Sequence, residues 1–320
     1  MKKTVFYVGM ITMGLAAGSC KKSGGGTGGG GGGGGGGWLV GVSGMMVNIQ
    51  ADGTAHGYAA PSSETLNGIA CRYTGEAWVV GNHGTLLYTD DAGDSWTPQA
   101  VPTTADLRTL ATQNYGPVFV AGNGAFLTSS DAGAHWNELS DGKTNFRSVA
   151  AAQEAETVLA VSEDGALWSV EHQQLVKRGG ITGARAVAVS PDGQTAIVAG
   201  DGVLSKSIDG GRTWAALTAS ETVRYDDVRV DANGQAVAVG ATGAIAHIAT
   251  DGSVVMQHIG NVDLHTIHIA EIGEDYESLG YAGGDAGHVW VTRDGGWSWT
   301  EGPNAGQTVL GVDEIGEGHR

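Results

Sequence analysis

The chain has 320 residues, with 56 Gly, only 6 Pro, and 34 acidic against 17 basic residues, a formal net charge of −17. An acidic surface of that size repels nucleic acid, so DNA and RNA partners are disfavoured. No stretch free of Gly and Pro is long enough for a helical bundle, and beyond the N-terminus no apolar run approaches the ~18 residues of a membrane-spanning helix.

In chain order, residues 1–20 read as an address. Lys2 and Lys3 precede the apolar run Val5–Ala17, which ends in Ala17-Gly18-Ser19-Cys20. That is a secretory signal. Its end resembles a bacterial lipobox, which makes Cys20 the lipidated mature N-terminus. The alternative is an ordinary signal peptide cut nearby, leaving an unmodified Cys20. Residues 21–37 follow as a polyglycine linker in which 13 of the 17 positions are Gly. Such a chain has a root-mean-square reach of about 20–25 Å, a flexible tether between an anchor and a folded body. Lys21, rather than Asp, follows the cysteine, which favours the outer membrane of a Gram-negative bacterium. The second cysteine, Cys71, is expected to be a buried, unpaired thiol.

From residue 38 to 320 the sequence is repetitive. Thr89-Asp90-Asp91-Ala92-Gly93-Asp94-Ser95-Trp96, Ser129-Ser130-Asp131-Ala132-Gly133-Ala134-His135-Trp136, Ser207-Ile208-Asp209-Gly210-Gly211-Arg212-Thr213-Trp214 and Thr292-Arg293-Asp294-Gly295-Gly296-Trp297-Ser298-Trp299 share the pattern Ser/Thr-x-Asp-x-Gly-x-x-Trp. A second marker, a Gly closing the turn before a strand, recurs at Gly44, Gly84, Gly124, Gly165, Gly202, Gly243 and Gly287, in steps of 40, 40, 41, 37, 41 and 44 residues. Seven markers at a period of about 40 predict an all-β, seven-bladed propeller of four-stranded blades. In the second repeat the strands are predicted at Leu66–Arg72, Ala77–Gly81, Thr85–Thr89 and Trp96–Gln99. Thr308–Asp313 reads as a first strand with nothing after it. Trp38–Val42, Met45–Ile49 and Ala55–Ala59 read as strands two to four with nothing before them. Together they predict a composite blade that closes the ring and removes exposed sheet edges. Two repeats have lost the Asp pattern, at Trp168–His172 and Thr250–Ser253.

The Asp and Ser/Thr of each pattern can bond local backbone amides, the Gly accepts positive φ, and the Trp buries a large face against a neighbour. Asp91, Gly93, Trp96, Asp131, Gly133, Trp136, Asp209, Gly211, Trp214, Asp294, Gly296 and Trp299 are therefore assigned a structural role. When first strands are aligned, the second position is Arg108, Arg147, Arg185 and Arg224 in successive blades, then His265. Those strands line the channel of a propeller, so the five side chains are expected to arc around one mouth, opposite the Asp turns. Guanidinium forks suit carboxylates. The expected partner is a protein or acidic peptide; the alternative is that each Arg pairs with a neighbouring acid.

The repeated pattern matches the Asp-box of bacterial-neuraminidase-type repeats. With the Val-Gly-x-x-Gly turn, as in Val80-Gly81-Asn82-His83-Gly84, the chain resembles the photosystem II stability/assembly factor family over roughly residues 38–313. That resemblance implies a seven-bladed, non-catalytic assembly propeller that binds partners through an arginine patch. The runner-up is a sialidase-like glycan-binding protein or glycoside hydrolase. Such enzymes need an Arg triad, a Tyr nucleophile assisted by Glu, and an Asp acid. Their Phe/Tyr-Arg-Ile-Pro signature is absent, and Arg224-Tyr225-Asp226-Asp227 supplies the residue types only in adjacent positions. No catalytic residue, metal ligand set or cofactor is assigned; His265 and His268 are not spaced to share a strand face, and Gly-x-Gly pieces lie in hairpins.

Overall fold

A computed structural model describes residues 36–50, 53–72, 75–269 and 278–315. The signal segment, Cys20 and most of the linker lie outside the described residues.

Seven four-stranded antiparallel sheets are arranged as the blades of one propeller. Blade 2 runs Leu66–Cys71, Ala77–Gly81, Leu86–Thr89 and Thr97–Pro98 from the inside outward. Blades 3 to 7 begin at Leu107, Phe146, Ala184, Tyr225 and Leu264 and repeat that order. Blade 1 is composite: Val309–Ile315 forms its inner strand against Gly36–Gly41, followed by Met45–Ile49 and Ala55–Ala59. The pairing extends to Gly36 and Gly37, opposite Ile315 and Glu314, so the last two residues of the glycine run belong to the sheet. A side chain at Gly37 would sit 2.8 Å from the Tyr281 ring, a close approach that only glycine allows.

The second strand of each of blades 2 to 7 is buried at every position, because both of its faces are covered by adjacent blades. The core is accordingly divided into clusters that lie between blades. Trp78, Val80 and Leu86 of blade 2 pack with Leu107, Leu110, Val118 and Val120 of blade 3. Inner strands are not hydrogen-bonded to each other as a sheet. Polar side chains staple them instead: Thr109 Oγ1 accepts from Val149 N (3.2 Å), Ser148 Oγ from Val187 N (3.1 Å) and Thr266 Oγ1 from Val312 N (3.2 Å).

The Asp-box lies between the third and fourth strands. In blade 2, Thr89 Oγ1 donates to Asp91 Oδ1 (2.6 Å) and accepts from Gly93 N (3.0 Å), while Ser95 N donates to Asp91 Oδ1 (2.9 Å). The same bonds recur around Asp131, Asp209 and Asp294. In all four boxes the Asp and Ser/Thr side chains are engaged with their own turn. Where a box is present the outer strand shrinks to two residues; in blades 1, 4 and 6, which lack it, the outer strand has five, seven and five. Since strands alternate in direction, the boxes and the starts of the inner strands lie on opposite faces, here the box face and the mouth face.

Candidate functional site: the arginine-bearing mouth

Every inner strand starts with a β-bulge at its second residue. The ladder skips from Leu66 to Gly68, Leu107 to Thr109, Phe146 to Ser148, Ala184 to Ala186, Tyr225 to Asp227 and Leu264 to Thr266. A bulge re-aims the side chain it carries. The bulged residues Asn67, Arg108, Arg147, Arg185, Asp226 and His265, with Leu310 of the composite blade, line one recess of about 470 Å³ at the channel mouth.

Arg108, Arg147, Arg185 and His265 are therefore brought together as the alignment expects, and Arg224 is not in that ring. Strand pairing puts Tyr225 opposite Gly240, so Asp226 takes the bulge and Arg224 stands one residue before the strand. The aligned frame Val223-Arg224-Tyr225-Asp226 offered an acid where the other blades carry Ile69, Leu110, Val149, Val187, Ile267 and Val312. Tyr225…Val228 restores the apolar spacing, and that was the signal for the correct frame.

The mouth is electrically mixed. Arg108 pairs with Glu163 at 2.6 Å; a hydrogen bond from Asn145, with help from Arg108 and Arg147, outweighs burial and holds that carboxyl below its ordinary range. Arg185 pairs with Asp226 at 2.8 Å and stands 3.6 Å from Asp201. Arg224 bridges Asp226 (2.8 Å) and Asp263 (2.6 Å). Burial would raise the Asp226 carboxyl, but His265 and the two arginines outweigh it and the carboxyl is lowered. His265 is raised by its bond to Asp226 and by Asp285 at 2.8 Å. Arg147 differs: among the described residues it makes no ion pair and no hydrogen bond, and it lies between Arg108 and Arg185 in the ring. Its guanidinium keeps its donors available for an incoming carboxylate.

The sequence reading missed the acids. Glu163, Asp201, Asp263 and Asp285 come from turns and connecting loops on the mouth face, outside the strand alignment that found the arginines. One step deeper, Asp227 is half-buried in the channel wall and its carboxyl is raised by burial, and it accepts from Ile267 N (3.0 Å) and Val228 N (2.8 Å). Tyr225 is 1% exposed inside the blade, its hydroxyl 3.2 Å from Met256 Sδ, and burial pushes its pKa up to about 12. It is a core residue whose side chain is not part of the lining of the mouth. Cys71 is likewise buried, its amide donating to Asp313 Oδ2 at 2.8 Å.

No protein-family model matches the chain, and no curated protein matches it. Solved structures do. A structure described as YCF48 bound to D1 peptide aligns with a TM-score of 0.59 at 17% identity, over 75% of this chain and 83% of that one. YCF48 from Cyanidioschyzon merolae aligns with a TM-score of 0.60 at 16% identity, over 78% and 88%. A nidogen/laminin complex aligns with a TM-score of 0.58 at 10% identity, over 88% and 98%. By fold, this chain is a seven-bladed β-propeller that resembles YCF48.

Proposed function

We propose that this chain is a non-catalytic, exported protein-binding propeller that docks an acidic protein segment on its arginine-bearing mouth, as a scaffold or assembly factor. The observation that carries this reading is Arg147, whose guanidinium makes no ion pair and no hydrogen bond among the described residues, its charge acting on Glu163 only at longer range, set between Arg108 and Arg185 in an open recess. Peptide capture is also what one similar structure is described as containing. Arg108, Arg185 and Arg224 are held in ion pairs, which leaves Arg147 as the arginine of the recess whose hydrogen-bond donors are unused among the described residues. A sialidase-like reaction would need a tyrosine nucleophile, and Tyr225 is enclosed in the core. Lipidation of Cys20, with the polyglycine run as tether, would hold the mouth clear of a membrane surface.

Fluorescence anisotropy with an acidic peptide tests the docking. Arg147→Ala is expected to weaken binding about tenfold, equivalent to ~1.4 kcal/mol for one charge-assisted contact, and the Arg108/Arg147/Arg185 triple alanine variant to abolish it. Unchanged affinity in the triple variant removes the mouth from the account. Sustained turnover of a fluorogenic sialoside would favour the enzyme reading instead. Incorporation of labelled palmitate, lost in Cys20→Ala, tests the anchor.

A further inference from the structure

The channel beneath the mouth is not the same on all sides. Below the recess lies a cavity of about 220 Å³ that shares Asn67, Arg108, Arg147, Asp226, His265 and Leu310 with it, so the two are continuous. Two residues inward from each rim position, about 6–7 Å along the strand, stands an apolar residue. In blade 4 it is Val149, whose amide points away from the second strand and donates to Thr109 Oγ1 of the preceding blade (3.2 Å). Ile69 of blade 2 and Leu110 of blade 3 stand in the same register, so their amides also lie on the free edge of the inner strand.

Five of the seven equivalent amides are capped by a side chain. Besides Val149, Val187 N donates to Ser148 Oγ (3.1 Å), Ile267 N to Asp227 Oδ2 (3.0 Å) and Val312 N to Thr266 Oγ1 (3.2 Å), each cap coming from the preceding blade. Blade 5 has Ala186 in the stapling position, and Asp227 caps its own neighbour instead, accepting from Val228 N at 2.8 Å. The remaining two are Ile69 and Leu110. The residues in the stapling position for them are Gly311 and Gly68, which have no side chain to offer. Among the described residues no side chain caps either amide.

This side of the channel also lacks acids. Blades 2 to 4 contribute Asn67, Arg108 and Arg147 at the rim and no carboxylate to the cavity wall. The acids that do line the cavity come from blades 6 and 1 and are engaged. Asp226 holds Arg185 and Arg224, Asp227 holds its two amides, and Asp313 holds Cys71 N and His268. Above, in the recess, Asp106 accepts from His83 N at 3.0 Å. Two uncapped backbone donors thus lie below the unpaired guanidinium of Arg147, and an N–H without a protein acceptor is satisfied by solvent or by a ligand.

We infer that the channel below the mouth holds a carboxylate subsite, in which the amides of Ile69 and Leu110 and the Arg147 guanidinium receive a glutamate side chain of the segment docked on the mouth. The occupant rests on the docking proposed above; the subsite rests on the channel wall alone. A carboxylate has two oxygens and about four lone-pair sites, enough for both amides and the guanidinium. Bonds to an ionised acceptor are the stronger kind. Glutamate suits the site better than aspartate because the amides lie two residues below the rim, and its extra methylene carries the charge toward them.

Nitrogen-15 NMR of the full chain tests the subsite with acetate, the bare carboxylate. The Ile69 and Leu110 amide protons are expected to move downfield and saturate. Gly68→Ser supplies the hydroxyl that Ser148 supplies in blade 4; the nearest atom to a Cβ there is Leu110 Cδ2 at 3.0 Å, the flexible end of a side chain. The Leu110 response should vanish in Gly68→Ser and persist in Gly68→Ala, which fills the same space without an acceptor. In fluorescence anisotropy a glutamate peptide should bind about tenfold more tightly than its aspartate counterpart, and Gly68→Ser should erase that preference. Amides unmoved by acetate, or an undiminished Leu110 response in Gly68→Ser, overturn the subsite even where acidic peptides still bind the mouth. An acetate response with equal affinity for the two peptides overturns glutamate as the occupant. An acetate response with no peptide binding at all overturns the docking itself and leaves a site for small carboxylates.

Discussion

The Asp-box carboxylate concentrates several contacts on one side chain. Asp131 accepts from the His135 amide (2.9 Å), the His135 ring (2.7 Å) and Ser129 Oγ (2.9 Å), and its pKa is pulled down to about 2, chiefly by the His135 amide. Asp209 is lowered for the same kind of reason, its bonds to Thr213 leading. A carboxyl lowered on folding contributes stability that is fully present above its unfolded value near 4 and is lost as pH falls through the folded value. His247 acts in a higher window. It is buried and stacked on Trp297 at 4.3 Å, and burial takes its pKa down to about 4. Its neutral form is the folded one, so its contribution is lost as pH falls from about 6.5 to about 4. Melting curves should therefore separate the two: His247→Phe flattens the loss between pH 6.5 and 4 relative to the parent, and Asp131→Asn flattens it between pH 4 and 2. Parallel curves for parent and variants would contradict these assignments. The residue after the box Asp tests backbone strain. Ala92 and Ala132 have φ of 59° and 55°, where blades 5 and 7 use Gly210 and Gly295. Left-handed backbone disfavours any residue with a Cβ. Ala132→Gly is expected to stabilise by about 0.5–1 kcal/mol in urea unfolding, an unusual sign for an alanine-to-glycine change; a lower midpoint would show that the turn carries no such strain.

At the scale of the turn and strand, the glycine marker, Gly-x-x-Gly or Gly-x-Gly, was legible because the backbone itself requires it. A Cβ on Gly240 would lie 1.9 Å from the Arg224 carbonyl, which accepts a bond from the next amide, Ala241 N, at 2.9 Å. Gly122, Gly200 and Gly284 meet the carbonyls of Asp106, Gly183 and Asp263 in the same way, at 2.0, 1.9 and 2.1 Å. Blade 4 has Ser162 at that place, so this glycine recurs in six blades of seven; the glycine closing the turn, at Gly44, Gly84, Gly124, Gly165, Gly202, Gly243 and Gly287, has positive φ in all seven and carries the period from which the blade count follows. The mouth was less legible. Its arginines share a strand position and could be aligned, but blade 6 offers two frames two residues apart, Val223 and Tyr225 both being apolar. The acids that pair the arginines sit in turns of variable sequence, where no period exposes them. Gly240→Ala is expected to cost at least about 1–3 kcal/mol, as overpacking against backbone does, and to weaken the mouth too, since the displaced carbonyl belongs to Arg224. Stability within 0.5 kcal/mol of the parent would mean that the strand entry can shift freely.

The whole ring depends on its last strand. Val309–Ile315 pairs with Gly36–Gly41, and it is also tied to the inner strands on either side. Asp313 accepts from Cys71 N of blade 2 (2.8 Å) and pairs with His268 of blade 7 (2.7 Å), while Val312 N donates to Thr266 Oγ1 of blade 7 (3.2 Å). Val309 and Val312 are buried to 0% and 2% exposure, worth about 1.5–3 kcal/mol each, and their removal would also strip the cover from Leu39 and the ladder from Trp38 through Val40. Set against a typical folding free energy of about 5–15 kcal/mol, loss of this strand exceeds what one domain tolerates. A chain ending at Thr308 should therefore show no cooperative thermal transition and no binding of the acidic peptide, because Leu310 and the seventh side of the mouth leave together. Asp313→Asn separates stapling from closure: it keeps the strand and weakens the pairing to His268, so its melting temperature should fall while Arg147-dependent binding persists. A truncated chain that still melts cooperatively and binds the peptide would show that six blades hold the mouth on their own, and that the clasp serves neither stability nor docking.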